Sequence, residues 1–310
     1  MRLAVLADIH GNYLALQAVL ADAAAHDVQD VLVAGDHFTG GPFPTETADL
    51  LRSRNVLAIR GNTDKRLLTY HTGNGPDAWR TSDQWAAQRW VYERLDSAAL
   101  DWLAAQPEQT IVELPGTAPI RILHGALHSV GKHMAPPNNA RVLAFYERAQ
   151  IRPIDYGPDF LEQALAQIDE AVLICGHSHI AWTYSQNERQ AVNPGSVGRP
   201  NNDDTRAQYA LLTWSEGRWQ VEQRAVPYPM HLVRAAYKER GLLDCGGAIS
   251  RAAMLGTLTG QAVFGRFASH MLRLARESGA GGRPVIPETV WEQIVSTFDW
   301  ETFERESART

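Results

Sequence analysis

The sequence is poor in cysteine, in long apolar runs and in excess positive charge. Its 310 residues include two cysteines, Cys175 and Cys245, too few for a disulfide framework, so we expect a reducing, cytoplasmic location. No apolar run approaches the roughly 20 residues of a membrane-spanning helix, so we expect no membrane partner. The opening apolar run at 2–7 is too short for a secretory signal. The formal net charge of -6 argues against extended nucleic-acid binding, which requires a strongly basic surface.

What is present is the composition of an ordinary globular protein, with 45% hydrophobic and 21% charged residues. A chain of this length can bury a large core as one or two domains. Short apolar runs at 2–7, 31–34 and 56–59 predict β-strands, and the patterns around 14–23 and 45–53 predict helices between them. This alternation is typical of α/β folds.

Each of these predicted strands ends in a cluster of polar side chains. Asp8 and His10 follow the first strand, Asp36 and His37 follow the second, and Asn62 follows the third. Polar loops are common, so one such cluster means little, but three in succession are poorly explained in that way. In open α/β sheets the carboxyl ends of the strands form the ligand-binding edge, which is where these residues are expected.

Two later predicted strands end in histidines. The apolar run 172–175 is followed by His177 and His179, and the run 119–123 is followed by His124. Neutral imidazole is a common metal ligand, so these positions favour a metal site. If the backbone stays extended beyond the strand, His177 and His179 point to the same side.

The strand-end side chains together form a mixed set of oxygen and nitrogen donors. They are Asp8, His10, Asp36, Asn62, His124, His177 and His179. So many donors exceed the needs of one tetrahedral ion. They suit two ions that share a carboxylate, an arrangement known for the hydrolysis of phosphate esters.

Five motifs in this order resemble those of the calcineurin-like metallophosphoesterase superfamily. They are Asp8-Ile9-His10, Gly35-Asp36, Gly61-Asn62-Thr63-Asp64, His124-Gly125 and Gly176-His177-Ser178-His179. The run 193–198 is further similar to the small bacterial and archaeal phosphodiesterase branch. The resemblance covers about residues 1–226 and implies an α/β fold, a four-layer αββα sandwich. We expect residues 227–310 to form a helical C-terminal extension.

The resemblance also implies a role for each ligand. One ion would take Asp8, His10 and His179; the other would take Asn62, His124 and His177; Asp36 would bridge both. A metal-bridging hydroxide would attack phosphorus, so the implied function is a dinuclear metal-dependent phosphoesterase that hydrolyses a small phosphodiester or phosphomonoester. Two divalent ions of Mn²⁺, Fe, Ni²⁺, Co²⁺ or Zn²⁺ would suit these donors equally.

One position departs from the family pattern, because many members carry histidine where this chain has Thr63. A hydroxyl is a poor general acid near neutral pH, which argues against efficient cleavage of esters with basic leaving groups. His37 is the main candidate substitute, and His128 and His133 are weaker ones. The candidate catalytic residues are Asp36, Asn62, Asp64 and His37, and the candidate phosphate contacts are Asn12, Arg60, Thr63 and Arg199.

Other functions stay open at this level. Thr63 and the unassigned C-terminal helices also suit a metal-bearing scaffold that binds a phosphorylated ligand or partner protein with little turnover. A protein phosphatase or a nuclease is a third candidate, but the acidic balance weighs against a nuclease.

Apolar residues recur at helical spacing over 254–272, so this region must bury a face. We predict that it shapes the substrate entrance or an interface, in a monomer or a homodimer.

Overall fold

The structure is a computed structural model that describes residues 1–54, 56–150 and 158–309, with the backbone alone for residues 158–160. The strands are β1 (Arg2–Leu6), β2 (Asp30–Val33), β3 (Leu57–Ala58), β4 (Gln109–Val112), β5 (Ile120–Leu123), β6 (Val172–Ile174), β7 (Trp182–Gln186), β8 (Arg189–Asn193), β9 (Ala207–Ser215) and β10 (Arg218–Val226).

Helices connect and cover these strands. They are α1 (Tyr13–Ala25), α2 (Pro44–Ser53), α3 (Asn62–His71), α4 (Ala78–Thr81), α5 (Ala86–Tyr92), α6 (Ser97–Ala105), α7 (Ala140–Arg148), α8 (Pro158–Ala166), α9 (Met230–Glu239), α10 (Leu242–Thr259), α11 (Val263–Glu277), α12 (Glu288–Thr297) and α13 (Trp300–Ser307). A turn of 3₁₀ helix spans Asp83–Trp85. Within the described ranges, no helix is both long enough and apolar enough to cross a membrane.

The strands form two mixed five-stranded sheets, in the orders β10-β9-β1-β2-β3 and β4-β5-β6-β8-β7. In the first sheet β1, β2 and β3 run parallel, and β9 pairs antiparallel with both β1 and β10. In the second sheet β5, β6 and β8 run parallel, with β4 and β7 antiparallel at the edges. The carboxyl ends of the parallel strands therefore lie along one edge of each sheet.

The alternation of side chains along each strand places one face between the sheets and the other against helices. In β1, Leu3 and Val5 belong to the cluster that fills the space between the sheets. Ala4 and Leu6 belong instead to the cluster shared with α1, α2 and α6. In β6, Leu173 packs with α7 and α8 on the outer side of the second sheet. The expected four-layer sandwich of helices, two sheets and helices is therefore confirmed.

The C-terminal helices contain a separate hydrophobic cluster centred on Phe267, whose ring contacts those of Trp291, Phe298 and Trp300. The first of these helices, α9, packs differently, because its buried apolar residues join the cluster beneath α1 and α2. The division of the chain at residue 226 stays a prediction.

We predict that Ile122→Ala lowers the free energy of unfolding by about 2–5 kcal/mol, because it leaves a cavity between the sheets. Ile122 is 0% exposed in β5, whereas Ile111 on the neighbouring strand is 44% exposed. Ile111→Ala is therefore the matched control, with a change of about 0.5 kcal/mol or less. Urea denaturation followed by circular dichroism measures both. Equal losses in the two variants would contradict the assigned core.

Candidate metal centre

The sequence-predicted ligands come together at the carboxyl edge of the two sheets. Asp8 and His10 follow β1, and Asp36 follows β2. Asn62 begins α3, shortly after β3. The second sheet supplies the remaining ligands, which are His124 after β5 and His177 and His179 after β6. Because β1, β2 and β3 are parallel neighbours, as are β5 and β6, each set arrives on the same side of its sheet.

The backbone of the centre is left-handed at several ligand positions. The φ angles are +54° at Asp8, +51° at His10, +57° at Asp36, +68° at His177 and +59° at His179. The backbone is therefore not extended at His177 and His179, so the condition under which their side chains would point to the same side is not met. Non-glycine residues rarely adopt this region, which costs on the order of 1–3 kcal/mol each and is found mainly where function requires it.

Backbone carbonyls fix the ring orientation of three histidines. Nδ1 lies 2.7 Å from a carbonyl oxygen in each case, and the pairs are His10 with Thr39, His124 with Ala34, and His179 with Arg199. A carbonyl oxygen only accepts, so Nδ1 must carry the proton and donate. In the neutral ring this leaves a lone pair on Nε2, the arrangement typical of metal-ligating histidine.

His10 and His179 face one another through these nitrogens. Their Nε2 atoms lie 3.0 Å apart. Burial, with the positive charge of Arg199 nearby, holds the pKa of His10 well below its ordinary value, so its ring is neutral near pH 7. Oδ1 of Asp8 lies 3.2 Å from the same nitrogen of His179. Three acceptor atoms thus converge, an arrangement that a cation between them would stabilise.

A second group surrounds His124. Its Nε2 lies 3.0 Å from Oδ1 of Asn62 and 3.5 Å from Oδ1 of Asp36. Burial disfavours the charged ring, but the carboxylates of Asp36 and Asp8 outweigh burial and raise the pKa of His124. Anionic oxygens here therefore favour a nearby positive charge, whether a proton or a metal ion.

The two buried aspartates lack enough protein donors. Oδ1 of Asp8 has no hydrogen-bond partner among the described residues, although Asp8 is 0% exposed. Asp36 receives a hydrogen bond from the backbone N–H of Thr63 at 2.9 Å. Burial, together with the negative charges of Asp64 and Asp8, raises the pKa of Asp36. Orphaned carboxylate oxygens beside imidazole lone pairs fit divalent cations.

Two overlapping groups have the geometry of a cation site. Asp8, His10 and His179 form the first, and Asp8, Asp36 and His124 form the second, with the ligand atoms of each group within 4.8 Å of one another. Asp8 is thus common to both groups, whereas the resemblance implies that Asp36 is shared. The two oxygens of Asp36 nevertheless face both, since Oδ2 lies 3.7 Å from Nε2 of His10 while Oδ1 lies near His124.

Asp64 and His37 lie beneath the centre, not in it. The Asp64 carboxylate accepts hydrogen bonds from the backbone N–H groups of Asp36, His37 and Gly61 at 2.8–3.1 Å. Its Oδ2 also lies 2.8 Å from Nδ1 of His37. His37 is 0% exposed and its ring packs against Trp102. This position gives His37 no access to a substrate, so its expected role as a substitute acid is wrong.

The four expected phosphate contacts lie in different places. Thr63 and Arg199 line a cavity of about 450 Å³ above the ligands, which we name the cleft. Asn12 instead caps α1 through Ala15 and donates to the carbonyl of Gly198. The backbone N–H of Arg60 donates to the carbonyl of Pro107. Neither Asn12 nor Arg60 is among the described residues that line the cleft.

Arg66 is a cleft residue that was absent from the sequence-based candidates. It lies four residues after Asn62 in α3, and this spacing puts both on one face of the helix, which was the signal available. Within the described part of the chain, Arg66 forms no ion pair, and burial lowers its pKa while the charge of Asp36 favours the cation. His133 also lines the cleft, with its ring centroid 4.0 Å from that of His177. His128 instead contacts Gln167 at the surface.

Residues 193–198 form hydrogen bonds that hold the loop after β1 and the loop after β6 in place. Nδ2 of Asn193 donates to the carbonyl of Gly176 at 2.7 Å and lies 3.1 Å from the Ser178 hydroxyl. The Ser196 hydroxyl donates to the carbonyl of Asp8 at 2.7 Å. A Cβ on Gly198 would approach the carbonyl oxygen of Ile9 to 2.0 Å, so only glycine fits there.

Comparisons with known proteins agree with this arrangement. The profile of the calcineurin-like phosphoesterase superfamily domain matches residues 1–217. An uncharacterised protein of Methanocaldococcus jannaschii is 25% identical over 257 residues, 76% of this chain and 90% of that protein. A metallophosphoesterase from Sphaerobacter thermophilus has a TM-score of 0.62 at 22% identity, covering 84% of this chain and 99% of that one. A hypothetical protein from Pyrococcus horikoshii has a TM-score of 0.59 at 20% identity, with 79% and 96% covered.

The two structures support the fold, and the profile supports the family. The matched range 1–217 covers more than half of the chain and contains all the candidate ligands. The chain therefore belongs to the calcineurin-like phosphoesterase superfamily and is a metal-dependent phosphoric ester hydrolase.

Proposed function

We propose that the chain hydrolyses a small phosphodiester or phosphomonoester at a centre of two divalent metal ions. The first ion would be held by Asp8, His10 and His179, the second by Asn62, His124 and His177, and Asp36 would contact both. When bound, such ions supply positive charge for the phosphoryl oxygens and lower the pKa of the attacking water.

The convergence of acceptor atoms carries this proposal. The Nε2 atoms of His10 and His179 face each other at 3.0 Å, with the protons held on the opposite nitrogens by carbonyl groups. Oδ1 of Asp8 is buried beside them and receives no hydrogen bond from any residue that the structure describes. Such an arrangement in a dry site is unfavourable without a cation. The second group around His124 supports a second ion.

The cleft residues of the chain would bind and orient the ester. Nη2 of Arg199 lies 3.4 Å from Nε2 of His10, so the guanidinium projects over the first group of ligands. Arg66, on α3, also lines the cleft. Thr63 lines the cleft, and its buried hydroxyl has no hydrogen-bond partner among the described residues. These donors would position an anionic phosphate.

Asp64 would hold the bridging ligand in place. Its four hydrogen bonds fix the backbone at Asp36, His37 and Gly61 and the His37 ring. His37 and Asp64 are thus positioning residues in this proposal. Both lie beneath Asp36, so neither would exchange a proton with the substrate.

Binding without turnover is the second candidate, and Thr63 favours it. No imidazole follows Asn62 to protonate a leaving group, and a hydroxyl does so poorly. A protein phosphatase or nuclease has no comparable support in the cleft. Turnover of an activated aryl phosphodiester separates hydrolysis from binding alone.

We predict that Asp36→Asn lowers hydrolysis of bis(p-nitrophenyl) phosphate by at least about 100-fold, since the bridging charge is lost. The measurement uses protein reconstituted with Mn²⁺ or Ni²⁺, after dialysis against a chelator. Asp101→Asn, at an exposed position of α6, is the control and should keep full activity. Full activity of the Asp36 variant, or hydrolysis that survives chelation, would refute the proposal.

We predict that His177→Ala and His179→Ala each remove one ion, and that the double variant removes both. The reason is that the two histidines are assigned to different ions although they are two residues apart. Metal content per chain, measured by plasma mass spectrometry, should fall from about two to about one and then to about zero. A double variant that keeps one full ion would place both histidines on the same metal.

We predict that Thr63→His raises kcat/KM for esters with basic alkyl leaving groups by about tenfold or more, because a positioned general acid contributes about 10²–10⁴-fold. The rate for p-nitrophenyl esters should change little, since that leaving group needs no proton. Rates across a series of leaving groups test this point, with Thr69→His, on the same helix, as the control. An unchanged dependence on leaving-group pKa would contradict the prediction.

A further inference from the structure

The cleft extends well beyond the metal ligands, into a chamber formed largely by the C-terminal helices. The apolar wall of this chamber consists of Trp85, Ile249, Phe264, Met271, Ile286 and Trp291. Five of these residues belong to or follow α10 and α11, and Trp85 comes from the 3₁₀ turn before α5. Aromatic and aliphatic side chains lining an enclosed space are typical of a site that binds an apolar group.

Two polar groups beside this chamber lack partners in the described part of the chain. Nε2 of Gln88, on α5, and Oγ of Ser250, on α10, are buried without a hydrogen-bond partner among the described residues. Both residues line the cleft and are 7% and 2% exposed, with these two atoms buried just beneath the cleft surface. A buried polar atom without a partner costs free energy that a ligand supplying the missing hydrogen bond would recover.

The cleft is positively charged around its apolar wall. Arg66, Arg199 and Arg283 line it, and Asp36 is the only acidic side chain among the described lining residues. The guanidinium of Arg199 lies 5.0 Å from the centroid of the Phe264 ring, so one arginine joins the metal-facing and apolar parts. An anionic group near the ligands and a flat apolar group beyond it would match this layout.

We propose that the chamber binds the organic group of the substrate, and that this group is an aromatic ring with a polar edge. The inference rests on the proposed hydrolytic function. The phosphate would lie between Arg66 and Arg199, and the ring would lie against Phe264 and its apolar neighbours. Rotation of the Gln88 and Ser250 side chains toward the cleft would bring their polar atoms to the polar edge of the ring. An aliphatic chain would use the wall but would leave the polar pair unpaired. The cavity of about 450 Å³ has room for a ring of this kind.

The first test compares phosphodiesters that share p-nitrophenolate as the leaving group and differ in the other ester group. Wild-type protein loaded with Mn²⁺ should have a kcat/KM for the phenyl diester roughly tenfold or more above that for the methyl diester, since a ring buries far more apolar surface. The uncatalysed rates of both diesters correct for intrinsic reactivity. Equal corrected values would overturn the inference.

Filling the chamber should remove this preference. Ala268 on α11 lines the cleft, so Ala268→Trp should lower the ratio of kcat/KM for the phenyl diester to kcat/KM for the methyl diester to about one. Leu272→Trp is the matched control, because Leu272 is on the same helix, is 50% exposed and lies outside the cleft. Ala268→Leu is the milder variant if tryptophan prevents folding. A preference that survives the filled chamber would overturn the inference.

The polar pair has its own test. A 4-carbamoylphenyl diester should exceed the phenyl diester in kcat/KM, and Gln88→Met or Ser250→Ala should remove roughly threefold to tenfold of this advantage. If these variants affect the phenyl and carbamoylphenyl diesters equally, Gln88 and Ser250 do not bind the polar edge of the ring.

Calorimetry separates failure of this inference from failure of the hydrolytic function. Phenylphosphonate should bind the Mn²⁺-loaded protein more tightly than methylphosphonate, and Ala268→Trp should abolish the difference. If no diester is hydrolysed but this preference holds, the hydrolytic proposal fails and the ring site stands. If the methyl and phenyl diesters are hydrolysed equally and the phosphonates bind equally, the ring site is wrong and hydrolysis stands.

Discussion

Negative charge buried between two sheets is the constraint on which the rest of the centre depends. Asp8, Asp36 and Asp64 are at most 2% exposed, and a buried carboxylate is costly unless donors or cations compensate it. Asp64 has four hydrogen bonds from the chain itself, whereas Asp8 and Asp36 have fewer among the described residues. The fold thus compensates one carboxylate internally, and in the proposed centre metal ions would compensate the other two. This difference in hydrogen bonding is why the proposal makes Asp64 a positioning residue and Asp8 and Asp36 ligands.

The unusual backbone follows from this constraint. Five ligand residues adopt left-handed φ angles, so each loop leaves its strand with a sharp turn and not as an extension of it. The turns are held by hydrogen bonds from other loops, such as Ser196 to the carbonyl of Asp8. The strain at one loop is therefore offset by contacts from another, and the ligands become rigid only when all the loops are assembled.

Motif order and alternating strands were enough to predict the sandwich and the residues that converge at its edge. Sequence could not reveal that His37 points into the core, because its neighbour Asp36 faces the opposite way only through a left-handed turn. Arg60 and Arg66 illustrate the same limit. Both flank the asparagine motif, but only Arg66, on a helical face shared with Asn62, reaches the cleft. Side-chain direction in a loop depends on φ angles that residue type does not encode.

In the proposed function, the residues for chemistry and those for specificity come from different parts of the chain. The family profile ends at residue 217, and all the candidate ligands precede that point. Most of the apolar wall, from Ile249 to Trp291, follows it. Ser250 belongs to α10, yet it lines the same cavity as Asn62 and His179. The family match over residues 1–217 therefore indicates which bond is hydrolysed but says little about the organic group of the substrate. Since α10 and α11 line the same cavity as the candidate ligands, the proposed ring site implies that changes in these helices alter substrate choice and leave the candidate metal ligands in place.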